Sequence, residues 1–127
     1  MKKSFRVKKN EDFQNIISTG FSTANRQFVL YVKKRDNNSS TPRFGISVSK
    51  KLGNAVVRNR MKRQIRAAMR ELVPSIKGGA DYVIIARKPA VGIHTLQLQE
   101  NLQHVFYKAK SLHMKKRGRE VSEEDNQ

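Results

Sequence analysis

Residues 50–66 read KKLGNAVVRNRMKRQIR. These seventeen positions contain seven Lys or Arg side chains and no acid. From about Val56 to Leu72 the apolar residues recur with the period of an α-helix, so that they form one stripe that can be buried. The stripe consists of Val57, Met61, Ile65, Ala68, Met69 and Leu72. The stretch therefore predicts an amphipathic helix that packs on a core and carries unbalanced positive charge.

The polar side chains of this predicted helix lie beside its apolar stripe. At about 100° per residue, six of them fall on an adjoining arc of about 140°, namely Arg58, Asn59, Lys62, Arg63, Arg66 and Arg70. Arg60 points elsewhere. Solvated helix faces usually mix charges of both signs, whereas no acid occurs here before Glu71. The arrangement favours a ridge that follows phosphates, to which Arg can also bind as a fork.

The whole chain is basic. Its 127 residues include 27 Lys and Arg against ten Asp and Glu, which gives a net charge of +17. Four of the acids fall in the last eight residues, so residues 1–119 carry 27 basic and six acidic side chains, a net charge of +21. This balance indicates a polyanionic partner, with nucleic acid first and an anionic membrane second.

Composition also limits the class of protein. The chain has no Cys, which excludes disulfides, thiolate metal sites and thiol catalysis and suits a reducing cytoplasm. Its apolar runs are too short to span a bilayer, and we expect no secretion signal after the basic N-terminus. The length fits one domain, which we place at residues 1–117. Residues 118–127 are mostly polar and acidic and predict a disordered tail.

Two helices are expected outside the basic one. Asn10 can cap a short helix that ends at Gly20 and turns Phe13, Ile16 and Ile17 to one apolar face. A last helix begins near Thr95, a candidate cap, and Pro74 follows the end of the basic helix. The apolar stripe of the last helix comprises Leu98, Leu102, Val105, Ala109 and Leu112.

Three segments have the composition of strands. Residues 27–33 and 43–50 alternate apolar and polar positions across a turn-rich loop, which predicts a hairpin. Residues 81–88 are apolar through their middle, as expected of a central strand. A short extra strand is possible near Phe21.

The two alternating strands predict a sheet with unlike faces. One face is apolar and includes Phe28, which strand parity assigns to the core. The other is mixed and carries Val29, Tyr31, Arg43, Gly45 and Ser47. With Phe13, whose place is open between core and cleft, the aromatic side chains of this face could stack on unpaired bases.

The chain lacks the usual residues of a protein catalyst. The acids within residues 1–112 do not pair for general acid and base catalysis or for a two-metal site. His94, His104 and His113 lack metal-ligand spacing, and no Ser or Gly lies in a nucleophile or phosphate-loop motif. We therefore predict no catalytic residue and no metal ligand in the protein. The residues alone favour a general or ribosome-associated RNA-binding protein. An intrinsic nuclease, which would need acids such as Asp12 or Glu71, is a weaker alternative.

A family resemblance narrows this reading. FGISVSKKLGNAVVRNRMKRQIR (44–66), with NRQFVLYV (25–32) before it and DYVIIARKPA (81–90) after it, closely resembles the protein subunits of bacterial ribonuclease P. The resemblance covers about residues 3–114, and its motifs are specific in order and spacing. The arginine-asparagine-arginine helix is the family's signature and corresponds here to Arg58, Asn59, Arg60, Lys62, Arg63 and Arg66.

The resemblance implies the function of a ribonucleoprotein endonuclease that removes the 5′ leader from precursor tRNA. Its RNA subunit performs catalysis with bound magnesium, and the protein has no cofactor of its own. The implied partners are the RNA subunit and the single-stranded 5′ leader, with no membrane and no obligate protein partner. The implied location is the cytoplasm.

The resemblance also implies two binding surfaces. The surface for the RNA subunit comprises Lys50, Lys51, Arg58, Asn59, Arg60, Lys62, Arg63, Arg66 and Arg70. The leader cleft comprises Phe13, Ile17, Val29, Tyr31, Arg43 and Ser47. Position 17 is Ile where the family can have an aromatic residue, which leaves stacking there open.

The fold implied by the resemblance is an α+β single-domain sandwich. A small mixed β-sheet packs with helices in the order α-β-β-(β)-α-β-α. The family has a left-handed βαβ crossover between the strand that ends near Lys50 and the strand that starts near Asp81. General statistics would favour a right-handed connection at about 98%, so the left-handed form is expected from the resemblance alone.

Overall fold

One four-stranded sheet with helices on both faces organises the chain. The computed structural model describes residues 6–7, 10–35 and 41–113. The predicted tail, 118–127, and most of the turn-rich loop before Pro42 lie outside these residues. The elements are α1 (Asn10–Thr19), β1 (Phe21–Ala24), β2 (Phe28–Lys34), β3 (Arg43–Ser47), α2 (Ala55–Leu72), β4 (Ala80–Ala86) and α3 (Thr95–Lys108). The predicted α+β class is confirmed, and so is the extra strand at Phe21.

The strand order in the sheet is β1-β2-β4-β3. β4 pairs with β2 in the antiparallel sense and with β3 in the parallel sense. The predicted hairpin between β2 and β3 is therefore wrong, because β4 lies between them. β4 is apolar at nearly every position and is buried on both faces, as expected of a central strand with helices packed on each face of the sheet. The parallel strands β3 and β4 are connected through α2 as a βαβ unit. The left-handedness of this crossover stays a prediction.

The larger core lies between one sheet face and the helices α2 and α3. The predicted stripe of α2 is buried there, except that Val57 is half-buried. Phe28 is fully buried, as strand parity predicted. The centre is aromatic: Phe44 stacks on Tyr82 with ring centroids 5.5 Å apart, and Phe106 lies 5.2 Å from Tyr82. Phe106 was absent from the predicted stripe of α3, although it lies at helical spacing, eight residues after Leu98 and four after Leu102.

The opposite sheet face is covered by α1 and by the segment before it. Ile16, Val7 and Val83 form a small second core. Val7 donates its backbone N–H to the carbonyl of Phe44 over 2.8 Å, so residues 6–7 lie beside β3. This face keeps polar and half-buried positions, since α1 is only ten residues long.

Local chemistry fixes where the helices begin. Asn54 caps α2, because its side-chain oxygen accepts the backbone N–H of Val57 at 3.0 Å. Gly53 has φ of 152°, and a Cβ there would lie 2.8 Å from Val57, so the turn before α2 requires glycine. The predicted cap of α3 was wrong by one residue. His94 is the cap, with Nδ1 accepting from Leu96 N at 3.3 Å, and Thr95 is the first helical residue.

Candidate nucleic-acid interface

Helix α2 presents a row of cations to solvent. Asn59, Arg60, Arg63 and Arg70 are exposed, while Arg58, Lys62 and Arg66 are half-buried beside the core stripe. Among the described residues, both ion pairs involve Asp81 and neither involves α2. The positive charge of the helix therefore has no acidic partner in this part of the chain. We call the polar residues of this helix from Arg58 to Arg70 the basic ridge.

Arg58 differs from the rest of the basic ridge because it also contacts the turn that precedes α2. Its Nε donates to the carbonyl of Gly53 at 3.2 Å. The guanidinium thus holds the glycine turn against the first turn of the helix. A variant at this position would change both charge and local structure.

Lys50 and Lys51 are exposed, as expected of a binding surface. They were predicted to end a strand that reaches residue 50, but β3 ends at Ser47. Both lysines instead lie in a short 3₁₀ turn, Lys50–Leu52, which Ser49 caps by accepting the N–H of Lys51 at 3.3 Å. The turn aims the chain away from the sheet and towards the start of α2.

The predicted cleft residues of the sheet lie opposite one another across β4. Val29 and Ser47 both pair with Ile85, and Tyr31 and Gly45 both pair with Val83. Strands in a sheet are about 4.8 Å apart, so each pair spans roughly 10 Å. Tyr31 is half-buried against the small second core. The structure thus brings the predicted β2 and β3 positions onto one face of the sheet.

Phe13 and Ile17 complete this face from α1. Both are half-buried and pack beside the small second core. The ring of Phe13 lies directly over the backbone of Gly45, where an added Cβ would be 2.5 Å from Cζ. Phe13 can reach the sheet only because position 45 has no side chain. The far end of the Phe13 ring thus lies against the backbone of Gly45, and its role in a leader cleft stays a prediction.

The cleft and the basic ridge meet at Arg66. A groove of about 240 Å³ is lined by Arg66 from α2, by Phe13 from α1, and by Arg6, Val7, Phe44, Gly45 and Ile46. The basic ridge and the cleft were predicted as two separate surfaces, and Arg6 was assigned to neither. The signal for Arg6 was present, since it belongs to a basic segment before α1. The parallel bridge between Arg6 and Phe44 brings the Arg6 side chain to the groove.

Arg43 was expected in the cleft, and the structure places it in an ion-pair network at one end. Its Nε and Nη2 donate to the two carboxylate oxygens of Asp81 over 2.9 and 2.7 Å. Arg35 donates to the same carboxylate at 2.6 Å and also binds the carbonyls of Ala80 and Thr41. Asp81 thus links Arg35, which follows β2, to Arg43, which begins β3. The arginine pair was missed because nothing in the local sequence links positions 35, 43 and 81.

The network sets the ionisation of Asp81. Burial disfavours its charged form, but hydrogen bonds from Arg43 and Arg35 and their positive charges outweigh burial, so the pKa of Asp81 lies below its usual range. The hydrogen bond to Asp81 raises the pKa of Arg43. Asp81 is therefore a charged anchor at the edge of the cleft and not a proton donor.

His104 and His113 are exposed, as expected, although His113 lies beyond the end of α3. In the described ranges, no three His, Cys, Asp or Glu side chains come together as a metal site would require. Of the described helices, none is both long and apolar enough to cross a membrane.

Comparison with known proteins places this arrangement in a family. A family model described as Ribonuclease P matches residues 1–110. A "Ribonuclease P protein component" from an Exiguobacterium species is 54% identical over 110 residues, which cover 87% of this chain and 94% of the relative. Its counterpart in Bacillus cereus is 49% identical over 116 residues, which cover 91% and 100%.

Solved structures give the same result for the fold. The RNase P protein of Staphylococcus aureus is 48% identical with a TM-score of 0.78, over 87% of this chain and all of that one. The RNase P protein of Thermotoga maritima is 30% identical with a TM-score of 0.74, over 81% and 96%.

Proposed function

This chain belongs to the ribonuclease P protein family and is a subunit of the endoribonuclease that removes the 5′ leader from precursor tRNA; from that premise we propose that each of its two surfaces binds a different RNA. The basic ridge, with Lys50 and Lys51, binds the catalytic RNA subunit. The cleft formed by Phe13, Tyr31 and their neighbours binds the single-stranded leader.

The observation that carries this proposal is the groove shared by Arg66 and Phe13. A cation beside a half-buried aromatic ring suits a single strand, which has a phosphate and an unstacked base in each nucleotide. The groove opens between α1 and β3 and adjoins the basic ridge. An RNA strand that leaves the surface of α2 can therefore enter the cleft directly, which supports a path from the RNA subunit to the leader.

We assign the chemistry of cleavage to the RNA subunit. Magnesium prefers oxygen ligands and is bound through carboxylates and phosphates, and the one buried acid of the described chain, Asp81, is already held by two arginines. The role left to the protein is electrostatic. Its cations lower the repulsion between two RNAs that approach each other, so that fewer magnesium ions are needed to hold the complex together.

Reconstitution with the RNA subunit tests this function. We expect the protein to stimulate cleavage of precursor tRNA at low magnesium, and the protein alone to cleave nothing. An Asp12→Asn/Glu71→Gln variant should stimulate as well as the unchanged protein, because neither acid is assigned a role. Binding of RNA without any stimulation would support a general RNA-binding protein instead, and cleavage by the protein alone would support an intrinsic nuclease.

Tyr31 allows the cleft to be tested separately. Tyr31→Ala should weaken binding of leader-bearing precursor tRNA by about 1–3 kcal/mol, the usual loss when one stacked base loses its aromatic partner. Binding of mature tRNA should stay unchanged, because it has no leader. The measurement is the dissociation constant of each tRNA with the reconstituted enzyme. Equal losses for both tRNAs would contradict the assignment of the cleft.

A further inference from the structure

A second basic concavity lies at the end of α3, on the sheet face opposite α1. It has a volume of about 790 Å³, and Lys34, Lys77, Lys108 and Lys110 line it together with Phe21. A hollow of about 440 Å³ continues it, with Tyr107 and the same Lys77, Lys108 and Lys110 on its wall. We call the two together the lysine groove. None of its residues belongs to the basic ridge or to the cleft.

Within the described part of the chain, no acid forms an ion pair with the lysine groove. Its four lysines come from four places in the chain: the end of β2, the turn before β4, the last residue of α3 and the residue after its cap. Of the described residues on its wall, none is acidic. Folding thus brings together like charges that are distant in sequence, which is unfavourable unless an anion binds them.

Two exposed aromatic side chains accompany these lysines. Phe21 is 48% exposed and Tyr107 is 59% exposed. Each belongs to only one of the two hollows, and Lys77, Lys108 and Lys110 belong to both. Aromatic rings alternating with cations are the pattern of single-strand binders, in which bases stack on the rings and phosphates meet the cations.

The backbone of Lys110 provides an independent observation. Lys110 has φ of 57° and is the one non-glycine residue with positive φ in the described chain. Its N–H bonds the carbonyl of Tyr107 at 2.9 Å, and the N–H of Ser111 bonds that of Phe106 at 3.0 Å. These two bonds define a helix-ending motif whose left-handed residue is usually glycine. A lysine is less favourable here than glycine, which points to a use for its side chain.

We propose that the lysine groove is a third RNA-binding surface, which takes an unpaired segment of the RNA subunit. The lysines bind its phosphates, while Phe21 and Tyr107 stack on its bases. This inference rests on the proposed function, since it takes the RNA subunit as the partner. The leader is not the occupant, because the cleft lies on the other face of the sheet. A bilayer surface is also disfavoured, because the lysines line a concavity that a flat surface would not enter.

Lys110→Gly is the decisive variant, because it should stabilise the protein while it weakens binding. Removal of the left-handed lysine should raise Tm by about 2–4 °C. Loss of one phosphate contact should weaken binding of the RNA subunit about 3- to 10-fold and lower its salt slope by about 0.7. Phe21→Ala should weaken binding with a smaller change in slope, since stacking carries no charge. Arg26→Gln, an exposed cation outside the three surfaces, serves as the matched control.

Several outcomes would overturn the inference. Unchanged affinity of Lys110→Gly for the RNA subunit would do so, as would a loss equal to that of Arg26→Gln. If Lys110→Gly weakens only the binding of precursor tRNAs with long leaders, the occupant of the groove is the leader. If Lys110→Gly weakens only co-sedimentation with phosphatidylglycerol vesicles, the occupant is a membrane surface. If Tyr31→Ala behaves as expected while Lys110→Gly does not, only this inference fails. If no variant of any surface weakens RNA binding, the proposed function fails with it.

Discussion

Replacing Lys62 and Arg63 together by Gln is expected to weaken binding of the RNA subunit about 10- to 50-fold near physiological salt. Each cation that meets a phosphate releases condensed counterions, and log K changes with log salt by about 0.9 per contact. The salt slope should therefore fall by about 1 to 2. Neither residue is buried in the core, and no ion pair in the described chain involves them, so the fold should be retained. Titrations at several salt concentrations, monitored by fluorescence anisotropy, measure both quantities.

A matched variant distinguishes the effect of the basic ridge on RNA affinity from the effect of net charge. Arg26→Gln/Lys88→Gln removes the same two charges from exposed positions outside the proposed surfaces. It should change affinity less than threefold. If the two double variants lose affinity equally, the effect belongs to the overall field of the protein, and the ridge assignment is wrong. Arg58 is left unchanged, because its hydrogen bond to Gly53 would mix structure with charge.

Asp81→Asn should have the largest effect on stability. The substitution leaves Arg35 and Arg43 without their carboxylate partner, in a place where the Asp81 side chain is 9% exposed. Loss of one member of a buried pair costs about 3–5 kcal/mol, and because the Arg43 side chain is 36% exposed we expect about 2–4 kcal/mol of unfolding free energy. Urea denaturation followed by circular dichroism measures the loss. Glu100→Gln on the exposed side of α3 should leave stability within about 0.5 kcal/mol.

The lowered pKa of Asp81 predicts how stability depends on pH. The folded pKa of Asp81 lies below its value in the unfolded chain, which is about 3.9. Its contribution is therefore present above about pH 4 and is lost as the pH falls through the folded pKa. Asp81→Asn should remove this part of the acid sensitivity. An unchanged acid-unfolding profile in the variant would show that the network does not contribute.

Local patterns were enough to predict the helices and which faces of α2 and β2 are buried. The periodicity of Met61, Ile65 and Met69 marks the buried face of α2 without any tertiary information, and the basic ridge follows from the same geometry. Strand parity alone assigned Phe28 to the core and Tyr31 to the opposite face. These features depend on neighbours within one helix or strand, so the sequence contains them directly.

Features that depend on pairing between distant segments were not predictable in this way. β2 and β3 have the appearance of a hairpin, and only the position of β4 between them shows which edges are shared. The Arg35–Asp81–Arg43 network and the shared groove of Arg66 and Phe13 follow from that strand order. The lysine groove was missed for the same reason, since its cations are scattered from position 34 to position 110.

The place of β4 in the sheet has a consequence for folding during synthesis. β2 and β3 both pair with a strand that is translated more than thirty residues after β3 ends. Until Ala86 leaves the ribosome, β3 has no sheet partner among the described strands and β2 has only β1. Formation of the sheet is thus a late, long-range step that must wait for loop closure across α2. Helix α2, whose bonds are local, can form earlier, so the nascent chain can acquire its cationic helix before it acquires a core.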